Sequence, residues 1–265
     1  MPNSLIYVYC VTNTPPEPGS YSDTIGLKSL KCGDLYVIVK DVSEKGCSPG
    51  NVKAYLSDKQ GVEINLSEHT EVINNMMKIG EVIPFSFGII FHSETSLEKF
   101  ITNNSATLKQ NFHAFGGREE WSIKVFCNRK SLSAQIDELS EEAAAMEREI
   151  MDSSPGKAFL LKRKKTDLVE NEMDRICKNY GQTFFNELNI LCDSSVLNNL
   201  LPKEFTDRED TMILNASFLV NRNNVNDFTK ILGTLEKKEC NACIKLEISG
   251  PLPPFSFFTV DTKNR

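Results

Sequence analysis

Histidine is scarce in this 265-residue chain, limited to His69, His92 and His113, and tryptophan occurs once, as Trp121. No two of the histidines have the spacing that a His-Glu-x-x-His metal site on one helix face requires. Neither Gly-x-x-x-x-Gly-Lys-Ser/Thr nor Gly-x-Gly-x-x-Gly is present, so the usual backbone cradles for phosphate are missing. Long apolar runs are absent too: nothing approaches the roughly 20 residues that span a bilayer. Leu5-Ile-Tyr-Val-Tyr-Cys-Val11 has no basic region before it and reads as a first β-strand, not a signal peptide. Lys and Arg together number 30 against 36 Asp and Glu, a formal charge of −6. That balance argues against a surface built for nucleic-acid phosphates.

What is present is the composition of a globular protein, 40% hydrophobic and 25% charged, with 16 phenylalanines. The length predicts two α+β domains. The eight cysteines, Cys10, Cys32, Cys47, Cys127, Cys177, Cys192, Cys240 and Cys243, are scattered through apolar segments. Without a secretion signal they read as reduced, mostly buried thiols of a cytoplasmic protein. Cys240-Asn-Ala-Cys243 lacks the second pair or the histidines of a zinc site, and it leads into a strand rather than a helix N-terminus, so ordinary thiols are the expectation. No metal, cofactor or small-molecule substrate is expected.

The first domain, 1–128, reads as strands at Leu5–Val11, Leu35–Val39, Val82–Phe91 and Trp121–Cys127 with helices between. Ser67 is the expected N-cap of the first helix and Gly80 its stop; the second runs from about Ser96 to Phe115. That order fits an antiparallel sheet with helices on one face, in the ferredoxin-like manner. The second domain, 129–265, opens with an a/d seam of Leu132, Ile136, Leu139, Ala143, Met146 and Ile150. A second helical pattern covers Leu168–Leu191. A strand at Met212–Val220, a helix at Asn224–Leu235 and a strand at Ala242–Ile248 follow, and the chain closes on a Pro/Phe-rich tail.

Three features invite a functional reading. His69 falls on the apolar face of its helix, where a hydrogen-bonded core histidine competes with a general base lining a ligand pocket. Lys162-Arg-Lys-Lys165 is a basic run, and the carboxylates at Asp167, Glu170, Glu172 and Asp174 can pair with it along a helix, giving a solvated face. Two segments are unusually apolar: Val82-Ile-Pro-Phe-Ser-Phe-Gly-Ile-Ile-Phe91, which suits a central strand, and Gly250-Pro-Leu-Pro-Pro-Phe-Ser-Phe-Phe258. In the latter, Pro251, Pro253 and Pro254 bias the backbone to an extended path and Phe255, Phe257 and Phe258 offer apolar surface. The tail either clamps its own core or docks on an apolar partner.

The same segments carry a resemblance. Leu5–Tyr9, His69-Thr-Glu-Val-Ile leading to Val82–Phe91, Gly156-Lys-Ala-Phe-Leu-Leu161, Leu214–Arg222 and Gly250–Phe258 are together similar to the gas vesicle proteins of the F/L type over almost the whole chain. Where that family usually has Arg and Glu around its His, this chain has Glu68 and Thr70. Where it has Trp and Tyr in its tail motif, Leu252 and Phe255 stand here, removing two polar handles. The resemblance implies a two-domain α+β fold and a minor structural or accessory place in gas vesicle assembly. It implies no known catalysis and, as partners, the major shell protein and other accessory proteins; from the charge balance and the short apolar runs, neither nucleic acid nor membrane is expected. The motif residues it brings forward are His69, Pro84, Phe85, Phe87, Gly88, Gly250, Pro251, Pro253, Pro254, Phe255 and Phe257.

Overall fold

A computed structural model of the chain describes residues 5–16, 26–42, 59–239 and 243–258. It is an α+β protein whose backbone divides into two compact units, residues up to Glu120 together with those from Pro251 onward, and Trp121–Gly250. This partition differs from the expected boundary after residue 128 in two respects. It cuts within the strand that carries Trp121, and it assigns the tail to the first unit.

In the first unit, β1 (Leu5–Thr12), β2 (Leu27–Cys32) and β3 (Leu35–Val42) form an antiparallel sheet. The segment expected as one central strand is instead two short ones, β4 (Val82–Pro84) and β5 (Ile90–Phe91), each pairing antiparallel with β1. Pro84 explains part of the break. Lacking an N–H, proline suits a strand such as β4 at the end of the order β2-β3-β1-β4. All eight residues of β1 are buried, so both of its faces are covered.

Helix α1 (Lys59–Ile79) packs on β1 and β4 and ends at Gly80, as the sequence suggests, but it begins well before Ser67. The expected single helix from Ser96 is two, α2 (Glu94–Asn103) and α3 (Ser105–Phe115), broken at Asn104, whose side-chain amide bonds back to the Phe100 carbonyl. Ser93 and Ser96 form a reciprocal capping box that starts α2 before Ser96.

The second unit is built on the sheet order β7-β8-β6-β9, where β6 is Arg118–Cys127, β7 Ser194–Leu197, β8 Thr211–Asn221 and β9 Ile244–Leu252. β6 therefore belongs to the second sheet, not to the first sheet as the strand order had suggested. The Leu132–Ile150 seam is not one helix but three: α4 (Arg129–Ala134), α5 (Ile136–Leu139) and α6 (Glu141–Met151). Ser140 causes the last break, because its hydroxyl caps Ala143 N–H and also donates to Glu172 Oε2 at 2.6 Å.

Helix α7 (Pro155–Asn189) is 35 residues long, starting thirteen residues before the expected Leu168. Its C-terminal half buries Met173, Ile176, Cys177, Phe184 and Leu188 in the core. Gly181 is the point of closest approach, since a Cβ there would lie 2.7 Å from the Ile213 carbonyl oxygen of β8. A short helix α8 (Lys203–Thr206), then α9 (Val225–Glu239) with Phe228, Leu232 and Leu235 buried, complete the unit. The six described cysteines are thiols, five of them buried; Cys47 and Cys240 lie outside the described residues.

Candidate functional site

The site begins with alternation in β1. A strand points every second residue to one face, and Tyr7 and Tyr9 both meet His69 of α1, with Tyr9 stacked on the imidazole at 5.6 Å between centroids. His69 is 2% exposed. Its Nε2 lies 3.0 Å from the Phe85 carbonyl oxygen and its Nδ1 2.8 Å from the Tyr7 hydroxyl. A carbonyl only accepts, so Nε2 carries the proton and Nδ1 accepts from Tyr7. The Tyr7 oxygen in turn accepts from Gly88 N–H at 3.4 Å. The relay thus runs Gly88 to Tyr7 to His69 to Phe85 with every group used once, and it requires neutral imidazole. Burial lowers the His69 pKa below its usual value, against the smaller opposing effects of the Phe85 carbonyl and the Glu68 charge.

This relay explains the shape of the Val82–Phe91 segment. Phe85 N–H still bonds Tyr9 O at 2.9 Å and Val8 N–H bonds Ile89 O at 3.0 Å, so both ends remain on β1. Between them the chain leaves the ladder in a turn at Phe87-Gly88. Gly88 has φ 84°, a conformation that glycine alone adopts without strain. Phe87 stands edge-on to His69 at 5.7 Å. His69, Pro84, Phe85, Phe87 and Gly88 are therefore brought to one place.

The tail reaches the same unit. Pro253 and Pro254 are buried, and Phe255 packs against the core cluster of Tyr7, Tyr9, Cys10, Ile38, Val72, Ile73, Met76 and Val82. The tail is not extended to its end: Phe255 N–H bonds Pro253 O at 2.7 Å, opening a turn through Phe257. Ser256 fastens it, N–H to Glu120 Oε2 at 2.8 Å and hydroxyl to Glu120 Oε1 at 2.6 Å. Phe257 is half-buried and Pro251 exposed. Gly250, in the other unit, lies under the Trp121 ring, where a Cβ would fall 2.7 Å from two ring carbons.

Sequence reading missed Tyr7, Tyr9, Glu68, Lys40 and Glu120. Glu68 accepts from the Tyr9 hydroxyl and from Lys40 Nζ at 2.9 Å. The available signals were the i, i+2 tyrosines of β1 and, more weakly, the acidic pair Glu119-Glu120 just before Trp121. Glu120 is 2% exposed.

The space beside this network, between Tyr7, Tyr9, Lys40, Val42, Asn65 and Glu68, is about 30 Å³, room for a water molecule and far below an ordinary ligand pocket. No group of three or more His, Cys, Asp or Glu side chains with metal-binding geometry occurs among the described residues. Gly46-Cys-Ser-Pro-Gly50 has the spelling of a nucleophile elbow and lies outside the described residues. Its Pro49 follows the serine and has no N–H, where that motif draws an oxyanion donor. No helix among the described residues is long and apolar enough to cross a membrane.

The model of the family described as gas vesicle synthesis protein GvpL/GvpF matches residues 5–259. Gas vesicle protein F of Nostoc sp. is 26% identical over 89% of this chain and 91% of its own length. Gas vesicle protein L of a Streptomyces species is 21% identical over 96% and 92%. Two solved structures share the fold. GvpF from Anabaena sp. aligns with a TM-score of 0.71 at 22% identity over 97% of this chain and 99% of that one. GvpF from Microcystis aeruginosa aligns with 0.68 at 19% over 96% and 98%.

Proposed function

This chain belongs to the GvpL/GvpF family of gas vesicle synthesis proteins, and from that premise we propose that it is a minor structural or accessory protein of gas vesicle assembly. It binds the major shell protein and other accessory proteins, nucleates or supports the shell without chemistry of its own, and does so in the cytoplasm. Like-named relatives cover nine-tenths or more of their own length with this chain, so the role is read for the whole chain rather than for a fragment of it.

The observation that carries the non-catalytic part is the state of His69. Both ring nitrogens are spent on internal partners, and the adjoining space of about 30 Å³ is an order of magnitude below an ordinary ligand pocket. A general base needs a free lone pair to take a substrate's proton, and here the Nδ1 lone pair is already bonded to the Tyr7 hydroxyl. The motif residues around it support a scaffolding reading, in which the relay holds the Val82–Phe91 segment in shape. The tail motif reads the same way: Phe255 and Ser256 are engaged within their own unit, which favours the clamp over the docking edge.

The test is deletion and complementation in cells that form gas vesicles, with affinity-tagged chain. Loss of vesicles on deletion, rescue by the wild type and co-purification of the shell protein are expected. Normal vesicles in the deletion strain, with no shell protein retained on the tagged chain, would overturn the reading. A His69→Gln variant that folds should also rescue, whereas a catalytic histidine would not tolerate the change.

A further inference from the structure

The most exposed large apolar side chains of the second unit include a cluster where α6 turns into α7. Met151 is 74% exposed, Phe159 71% and Leu160 63%. Phe159 and Leu160 lie on the outward face of α7, opposite the stripe of Ala158, Leu161, Lys165 and Leu168 that is turned inward. Helical spacing sets Arg163 beside both of them (i+4 and i+3) and Lys164 beside Leu160 (i+4).

The sequence suggested that the basic run would be neutralised by the carboxylates after it. The structure spends three of those four carboxylates elsewhere; Asp167, exposed one turn after Arg163 and Lys164, makes no ion pair among the described residues. Glu170 and Asp174 hold Arg129 at 2.6 Å each, and Glu172 is taken by Arg175 and Ser140. Of the run, only Lys165 is paired, with Asp137 and Glu147. Lys162, Arg163 and Lys164 are exposed and make no ion pair among the described residues.

Phe159 and Leu160 expose large apolar side chains to water within a basic surround. A partner that is both apolar and anionic covers the one and pairs with the other.

We propose that the tip of the α6–α7 hairpin is a docking surface for an acidic amphipathic segment of a protein partner. Met151, Phe159 and Leu160 supply the apolar anchor, and Lys162, Arg163 and Lys164 supply the charge that selects the partner's flanking Asp and Glu. A second copy of this chain is disfavoured as occupant, because a two-fold contact at this patch would set the same three cations against each other. A membrane surface is disfavoured as well, since only a narrow outward strip is apolar and the opposite side of α7 is buried against α6. The proposal rests on the assembly role above for its setting, though not for its chemistry.

The test places a photo-cross-linking benzoylphenylalanine at position 159 of the full chain in cells forming gas vesicles. The expected product is a protein adduct whose cross-linked peptide has apolar residues at helical spacing and an excess of Asp and Glu. Arg163→Glu/Lys164→Glu should lower its yield by about fivefold or more, while the exposed control Lys237→Glu/Lys238→Glu should not. Circular dichroism and thermal melting establish that both variants are folded. Adducts to lipid, to a second copy or to a basic segment would overturn the proposal, as would no adduct or a yield indifferent to the charge reversal. If the cross-link yield is indifferent to the charge reversal while shell protein still co-purifies, the docking surface fails and the assembly role stands.

Discussion

Two of the segments that resemble the gas vesicle family meet opposite fates. Val82–Phe91 is drawn into its own unit by a histidine with both nitrogens engaged, and the tail motif is pinned beside the same core by Glu120. Gly156–Leu161 opens a helix whose first turns expose Phe159 and Leu160 to solvent. Both stretches are apolar and equally recognisable as strings of residues. The difference lies in polar pairing: the buried segment has the polar groups around its histidine matched internally, and the exposed one presents apolar groups beside the unpaired cations Lys162, Arg163 and Lys164 that follow it. A motif of the first kind holds a fold together, and one of the second kind is available to a partner.

This contrast can be broken most severely at His69. His69→Leu removes a donor and an acceptor at once, leaving the buried Phe85 carbonyl and Tyr7 hydroxyl short of partners. An unsatisfied buried group costs roughly 1–3 kcal/mol, so urea unfolding should show a loss of about 3 kcal/mol. A loss below about 1 kcal/mol would mean that the relay is not holding the segment.

Gly250→Ala comes next. The new Cβ meets a rigid indole rather than a flexible chain end, and overpacking of this kind costs about 1–3 kcal/mol. Thermal melting should show the loss, and Trp121→Ala in the same chain should remove most of it, a non-additivity that reports direct contact. Ser256→Ala removes one of two bonds to a buried carboxylate, a charge-assisted bond worth roughly 1.5–3 kcal/mol. It should also raise proteolytic cleavage in the tail; a tail cut no faster than wild type would count against the clamp.

Acid sharpens the comparison further. The folded pKa of His69 lies below the ordinary 6.5, so as pH falls the unfolded chain takes up the proton first. The stability that His69 provides is complete above about pH 6.5 and is lost below it, at up to about 1.4 kcal/mol per pH unit. Denaturant titrations of wild type and His69→Gln between pH 7 and 5 should converge by this slope; parallel curves would show that another group governs acid sensitivity. The smallest effect belongs to the other region. Phe159→Ser/Leu160→Ser should change stability by no more than about 0.5 kcal/mol, because neither side chain is packed, while improving solubility.

Much of this was legible in the residues. Alternation marked β1, β6 and β9, a continuous strand-like run marked β8, and Gly80 marked the end of α1. The motif set around His69 does assemble around one histidine. The breaks were not legible. Asn104 and Ser140 divide their helices because the side chains find bonds that compete with the helical ladder, and for Ser140 one partner is Glu172, thirty-two residues away. The assignment of β6 to the second sheet depends on strand partners that periodicity does not name.

The segment Gly250–Phe258 shows the division most clearly. Its composition determined that the backbone would not be helical, that large apolar rings would need cover, and that a glycine would precede the prolines. Whether the cover came from this chain or from another was decided by tertiary structure alone. A buried carboxylate on Glu120, far away in sequence, supplied two hydrogen-bond acceptors where Ser256 could use them. Burial and pairing depend on which distant groups arrive at the same place, and local sequence specifies only what each group requires when it gets there.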